Sequence, residues 1–120
     1  MNGRVDSAGR ALLNIELRPS RDAAGRFVVA WIDTGFTGDL VLPQFIIDEL
    51  ALALTGTVSA VLADGSPVVM KTYECFVPWF DDLRRLEVVA NRGECPLLGV
   101  GLMLDRELSI DYRSKWITLD

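Results

Sequence analysis

Phe27-Val28-Val29-Ala30-Trp31-Ile32-Asp33-Thr34-Gly35-Phe36-Thr37-Gly38-Asp39-Leu40-Val41-Leu42-Pro43 decides how this chain is read. The opening run, Phe27–Ile32, is apolar at every position, which predicts a central strand covered on both faces. Directly behind it the chain places a carboxylic acid in a Gly-flanked turn. Asp and Gly favour turns for backbone reasons of their own, so Asp33 is either a turn former or a catalytic group. The triplet Asp33-Thr34-Gly35 occurs once in the chain.

The rest of the composition narrows the choice. A chain of 120 residues, half of them apolar and 24% charged, supports one domain with one core and is not disordered. The net charge of −5 argues against a nucleic-acid partner, which calls for a basic stripe. No apolar run approaches the ~20 residues of a membrane span, so no membrane partner is expected. The polar start, Met1–Asp6, lacks the apolar segment of a signal peptide, and a cytoplasmic address is the expectation. Cys75 and Cys95 are too few for a disulfide framework and read as two reduced thiols. Histidine is absent, which removes Ser-His and Cys-His pairs, His-bearing zinc sites and imidazole acid–base catalysis. Chemistry in this chain rests on carboxylates, hydroxyls, lysine or a cysteine without histidine.

Working outward, residues 1–10 read as a flexible leader and residues 11–120 as a single domain. Leu13, Ile15 and Leu17 alternate with Asn14, Glu16 and Arg18, the pattern of a half-buried strand. Pro19–Gly25 is a polar loop. Leu40–Leu42 is a short strand, and Pro43 opens a helix to about Leu52 with Ile46, Ile47, Leu50 and Ala51 inward. Thr57–Ala63 and Val68–Val77 form a hairpin over Asp64-Gly65-Ser66-Pro67. Asp81-Asp82 is a solvated turn before the strand Leu86–Ala90, with Trp79 and Phe80 packed at an edge. A short helical piece spans Leu102–Asp105, and Leu108–Tyr112 and Trp116–Leu119 close the chain as a second hairpin. Gly99-Val100-Gly101 lacks the third glycine of a dinucleotide loop. The class is mainly β with one or two short helices, closed or folded over on itself.

Ile32-Asp33-Thr34-Gly35, with Leu97-Leu98-Gly99 downstream, resembles the active-site signature of the retropepsin-like, single-domain branch of the clan AA aspartic proteases. The Phe at position 36 is similar to a prokaryotic Asp-Thr-Gly-Phe subgroup. The resemblance implies a closed acid-protease-like β barrel that needs no metal or other cofactor. It also implies a homodimer, because one chain supplies one Asp33 and the catalytic dyad needs two.

Two carboxylates held together share one proton; one then activates water while the other polarises the scissile carbonyl, and aspartic proteases are the standard case. By the resemblance, Asp33, Thr34 and Gly35 are the catalytic triplet, with Thr34 bonding across the dimer and Gly35 permitting close approach. Phe36 lines a substrate pocket or packs in the core. Thr37 stands where retroviral members carry Asp or Ser, and its hydroxyl bonds locally or to substrate. The hairpin with Asp64, Gly65 and Ser66 at its tip occupies the position of the family's flap, and reads equally as a plain surface hairpin. The substrate is a peptide or protein; the alternative is a catalytically silent dimer of the same fold that binds peptides.

Overall fold

The computed structural model describes residues 1–120. Its strands are β1 (Asn2–Val5), β2 (Ala11–Leu17), β3 (Arg26–Ile32), β4 (Leu40–Pro43), β5 (Leu54–Val61), β6 (Pro67–Trp79), β7 (Asp82–Asn91), β8 (Leu97–Leu98), β9 (Leu108–Asp111) and β10 (Trp116–Leu119). One α-helix, α1 (Gln44–Leu50), and one 3₁₀ turn (Val100–Leu102) complete it. No helix is long and apolar enough to cross a membrane.

Alternation in β2 sends Leu13, Ile15 and Leu17 inward, and β3 pairs with it antiparallel from Leu12↔Trp31 to Leu17↔Arg26. The partners of β3 on its other side come from far along the chain: β8 joins it in parallel and β4 joins β8 antiparallel. β4 is in turn parallel to β7. All ten strands form one sheet in the order β5-β6-β7-β4-β8-β3-β2-β1-β10-β9. Leu13, Leu40, Leu42, Val88, Leu98, Ile117 and Leu119 are among the side chains sealed in its single core.

The sheet curls without closing into the expected barrel. Arg18 at the end of β2 and Phe76 in β6 exchange both backbone hydrogen bonds at 2.8 Å, as an isolated bridge. The chain bends at Pro19 and Ser20 directly after it, and the bridge does not grow into a ladder. The outer edges, β5 and β9, each have a strand partner on one side only.

Three further expectations change. The flexible leader is corrected: Asn2–Val5 is a strand between β2 and β10, with Val5 buried. Gly3 allows that fit, since a Cβ there would lie 2.6 Å from the Leu13 side chain. β3 is covered on one face only; Val28, Ala30 and Ile32 are buried while Phe27 (71%), Val29 and Trp31 (40%) are exposed. The helix is shorter than the apolar pattern suggests. Pro43 ends β4 and caps α1, and Ala51 stops it in a left-handed conformation (φ 52°). Ile46 and Ile47 are its buried face.

Candidate active site

Asp33 is the first residue beyond β3, and backbone bonds hold it there. Its N–H donates to the Leu98 carbonyl at 2.8 Å, continuing the parallel register of β3 and β8 by one residue. The loop that follows is lashed to the segment after β8. Gly99 N–H donates to Asp39 O (2.8 Å), Val100 N–H to Phe36 O (2.8 Å) and Gly101 N–H to Gly38 O (2.9 Å). The two-residue strand Leu97–Leu98 thus lies between β3 and β4, and residues 33–39 arch over its far end.

The close approach rests on glycine at position 99. A Cβ there would lie 2.9 Å from the Gly38 carbonyl carbon and 2.5 Å from the Phe36 ring. Phe36 is half-buried, with its ring against Gly38 and Gly99.

At the turn itself, Phe36 N–H donates to the Asp33 carbonyl (3.1 Å) and Gly35 N–H to Asp33 Oδ1 (2.9 Å). One carboxylate oxygen therefore shapes the turn, as Asp does in many turns. The other has no hydrogen-bond partner within the chain. Asp33 is half-exposed, Thr34, Gly35 and Thr37 are exposed, and a cleft of about 370 Å³ opens beside them. Its walls are Trp31, Ile32, Asp33 and Leu97.

Trp31 is the wall residue that the sequence did not single out, and Leu97 stood there only as part of the Leu97-Leu98-Gly99 element. The signal was present in the strand period of two, which puts Trp31 on the side of Asp33, two residues before it. Leu97 then follows as the register partner of Trp31. Arg10 flanks them, its guanidinium 5.9 Å from the Trp31 ring and paired with Asp6 at 2.8 Å.

The hairpin tip lies apart from these groups in the hydrogen-bond network. Asp64 Oδ1 accepts from the Ser66 N–H (2.9 Å) and hydroxyl (2.5 Å), and Gly65 takes a positive φ of 85°. Those bonds to Ser66 hold the Asp64 carboxyl below the usual carboxylate range. No residue of β5 or β6 lines the cleft at Asp33.

The other reactive groups are placed plainly. Cys75 and Cys95 are free thiols, and burial of Cys75 pushes its pKa up to about 11. Trp79 is buried, its indole N–H donating to the Leu102 carbonyl at 2.9 Å, and it meets Phe80 edge to face at 5.4 Å.

Neither the protein-family models nor the curated protein sequences yield a match to this chain. Among solved structures it is similar to a retropepsin-like aspartic protease from Rickettsia conorii, with a TM-score of 0.69 and 15% identity. The alignment covers 99% of this chain and 88% of that one. The protein has a retropepsin-like fold.

Proposed function

We propose that the protein is an aspartic-type endopeptidase, active as a homodimer in which two copies of Asp33 form the dyad. The observation that carries this reading is the presentation of Asp33. Its backbone is fixed through Leu98, one carboxylate oxygen is held by Gly35, and the residue lines a cleft whose other walls, Trp31, Ile32 and Leu97, are apolar. A carboxylate kept only as a turn former has no need of that cleft.

In the dimer, the ionised Asp33 takes a proton from water as the water attacks the scissile carbonyl. The protonated Asp33 of the second copy donates its hydrogen bond to that carbonyl oxygen and then its proton to the leaving amine. The two carboxyls exchange roles as the proton moves, and no covalent intermediate forms. Trp31 and Leu97 hold an apolar substrate side chain beside the reacting bond. Thr34, exposed at the turn, bonds across the two-fold axis. The hairpin over Asp64-Gly65-Ser66 closes as a flap and keeps bulk water from the bond being cut. These roles belong to the bound dimer, since in the single chain the hairpin does not line the cleft.

Asp33→Asn tests the reading in one step. An unfolded protein substrate is cleaved by the wild-type chain with a bell-shaped pH profile, and the variant loses activity by ~10²-fold or more while its sedimentation as a dimer is unchanged. Unaltered cleavage by the variant, or a wild-type chain that stays monomeric with substrate bound, overturns the dyad. An inert dimer that still captures peptides supports the binding module instead.

A further inference from the structure

A second groove shares no wall residue with the Asp33 cleft. β6 runs beside β7 only from Thr72↔Val89 to Trp79↔Asp82. Before Thr72 the two strands part. Val68–Lys71 keep β5 as their neighbour on one side, through Val68↔Ala60 to Lys71↔Thr57, and have no strand on the other. β7 likewise continues to Asn91 with β4 on one side and nothing on the side of β6. The fork between them holds a groove of about 660 Å³, whose walls include Gln44, Val69, Met70, Lys71, Asn91 and Arg92.

The charge of this groove runs against that of the whole chain. Asp and Glu outnumber Lys and Arg by 17 to 12, yet no carboxylate lines the groove and two cations do. Both cations are exposed, and the four ion pairs of the chain use Arg10, Arg18, Arg26 and Arg85 instead. Val69, 67% exposed, adds an apolar contact.

We infer that this fork is a docking site for an extended acidic peptide segment. The segment adds as a short strand to the open side of β6, its carboxylates meeting Lys71 and Arg92 and an apolar residue covering Val69. The geometry favours a peptide over a free anion. An open strand edge offers main-chain hydrogen bonds in register, which only another backbone uses, and Val68–Lys71 span about 13 Å, room for four extended residues. The acidic balance of the chain weighs against a nucleic acid.

The groove shares no wall with the Asp33 cleft but is built on β6 of the hairpin proposed as the flap, so its test silences the dyad first. ¹⁵N-labelled Asp33→Asn protein is titrated with a blocked hexapeptide of alternating glutamate and valine, and with its lysine–valine counterpart. The glutamate peptide is expected to shift the amides of residues 68–71 and 90–92 and to bind more weakly as salt rises. Lys71→Glu with Arg92→Glu is expected to weaken it about tenfold, two exposed ion pairs being exchanged for repulsions. Lys71→Gln with Arg92→Gln gives a smaller loss in the same direction, and serves if the reversed variant fails to fold. Equal binding of the two peptides, shifts confined to the Asp33 cleft, or affinity indifferent to both double variants overturns the inference. Shifts of the same amides that grow with protein concentration alone assign the fork to a second copy of the chain, and overturn it too.

Discussion

Gly99 sits where three constraints meet: the end of β8, the carbonyl of Gly38 and the ring of Phe36. Its N–H also holds Asp39. A methyl group at this position has no room unless the Asp33–Asp39 loop moves away. Gly99→Ala is therefore expected to destabilise the fold by roughly 1–3 kcal/mol, the usual range for an overpacked site. Cleavage should fall further than the unfolded fraction explains, because the displaced loop carries Asp33. Chemical denaturation beside single-turnover kinetics measures both. At this scale Asp33 and Leu98-Gly99 are legible in the sequence, since a strand, a turn-forming acid and an apolar-Gly element each leave a mark. Trp31 is not, because an apolar residue in an all-apolar run gives no sign that its face of the strand stays uncovered.

The β9–β10 hairpin shows how charge enters at the scale of elements. Its turn is organised by Asp111, whose carboxylate accepts the N–H groups of Ser114 (3.2 Å) and Arg113 (2.8 Å). Those bonds, Ser114 first, hold the carboxyl below its ordinary value of 3.8. The turn over Asp6 is built alike, with the Arg10 N–H as the main cause. A carboxyl lowered on folding leaves the unfolded chain binding more protons. Its contribution is present above pH 3.8 and is lost as pH falls through the folded value. Asp111→Asn keeps an acceptor oxygen and removes the titration. Its melting temperature is expected to decline less steeply than that of the wild type between pH 4 and pH 2, which a calorimetric series checks. Among the elements, β2, β4 and the two hairpins are written in alternation and turn chemistry. β1 is not. Asn2-Gly3-Arg4 carries no apolar pattern and becomes a strand because β2 and β10 leave a strand-wide gap that it fills.

Across the whole molecule, the chain encodes a mainly β architecture, while the openness of the sheet emerges only from tertiary pairing. A curled sheet with one bridge at Arg18 and Phe76 keeps two outer edges, and the chain bends away from the contact at Pro19 and Ser20. The sequence marks Pro19 as a loop residue and says nothing of which strand lies opposite. The three tryptophans lie at three depths of this architecture: Trp79 sealed in the core, Trp31 at the cleft beside Asp33, and Trp116 outside on β10. The protein therefore carries its own optical reporters. Emission from Trp79 follows global unfolding, and emission from Trp31 follows occupancy of the cleft. Trp31→Phe is expected to abolish the fluorescence change on adding a peptide substrate to Asp33→Asn protein and to leave the denaturation signal in place. With Trp79→Phe the cleft signal survives and the unfolding amplitude shrinks, so one spectrum separates binding from folding.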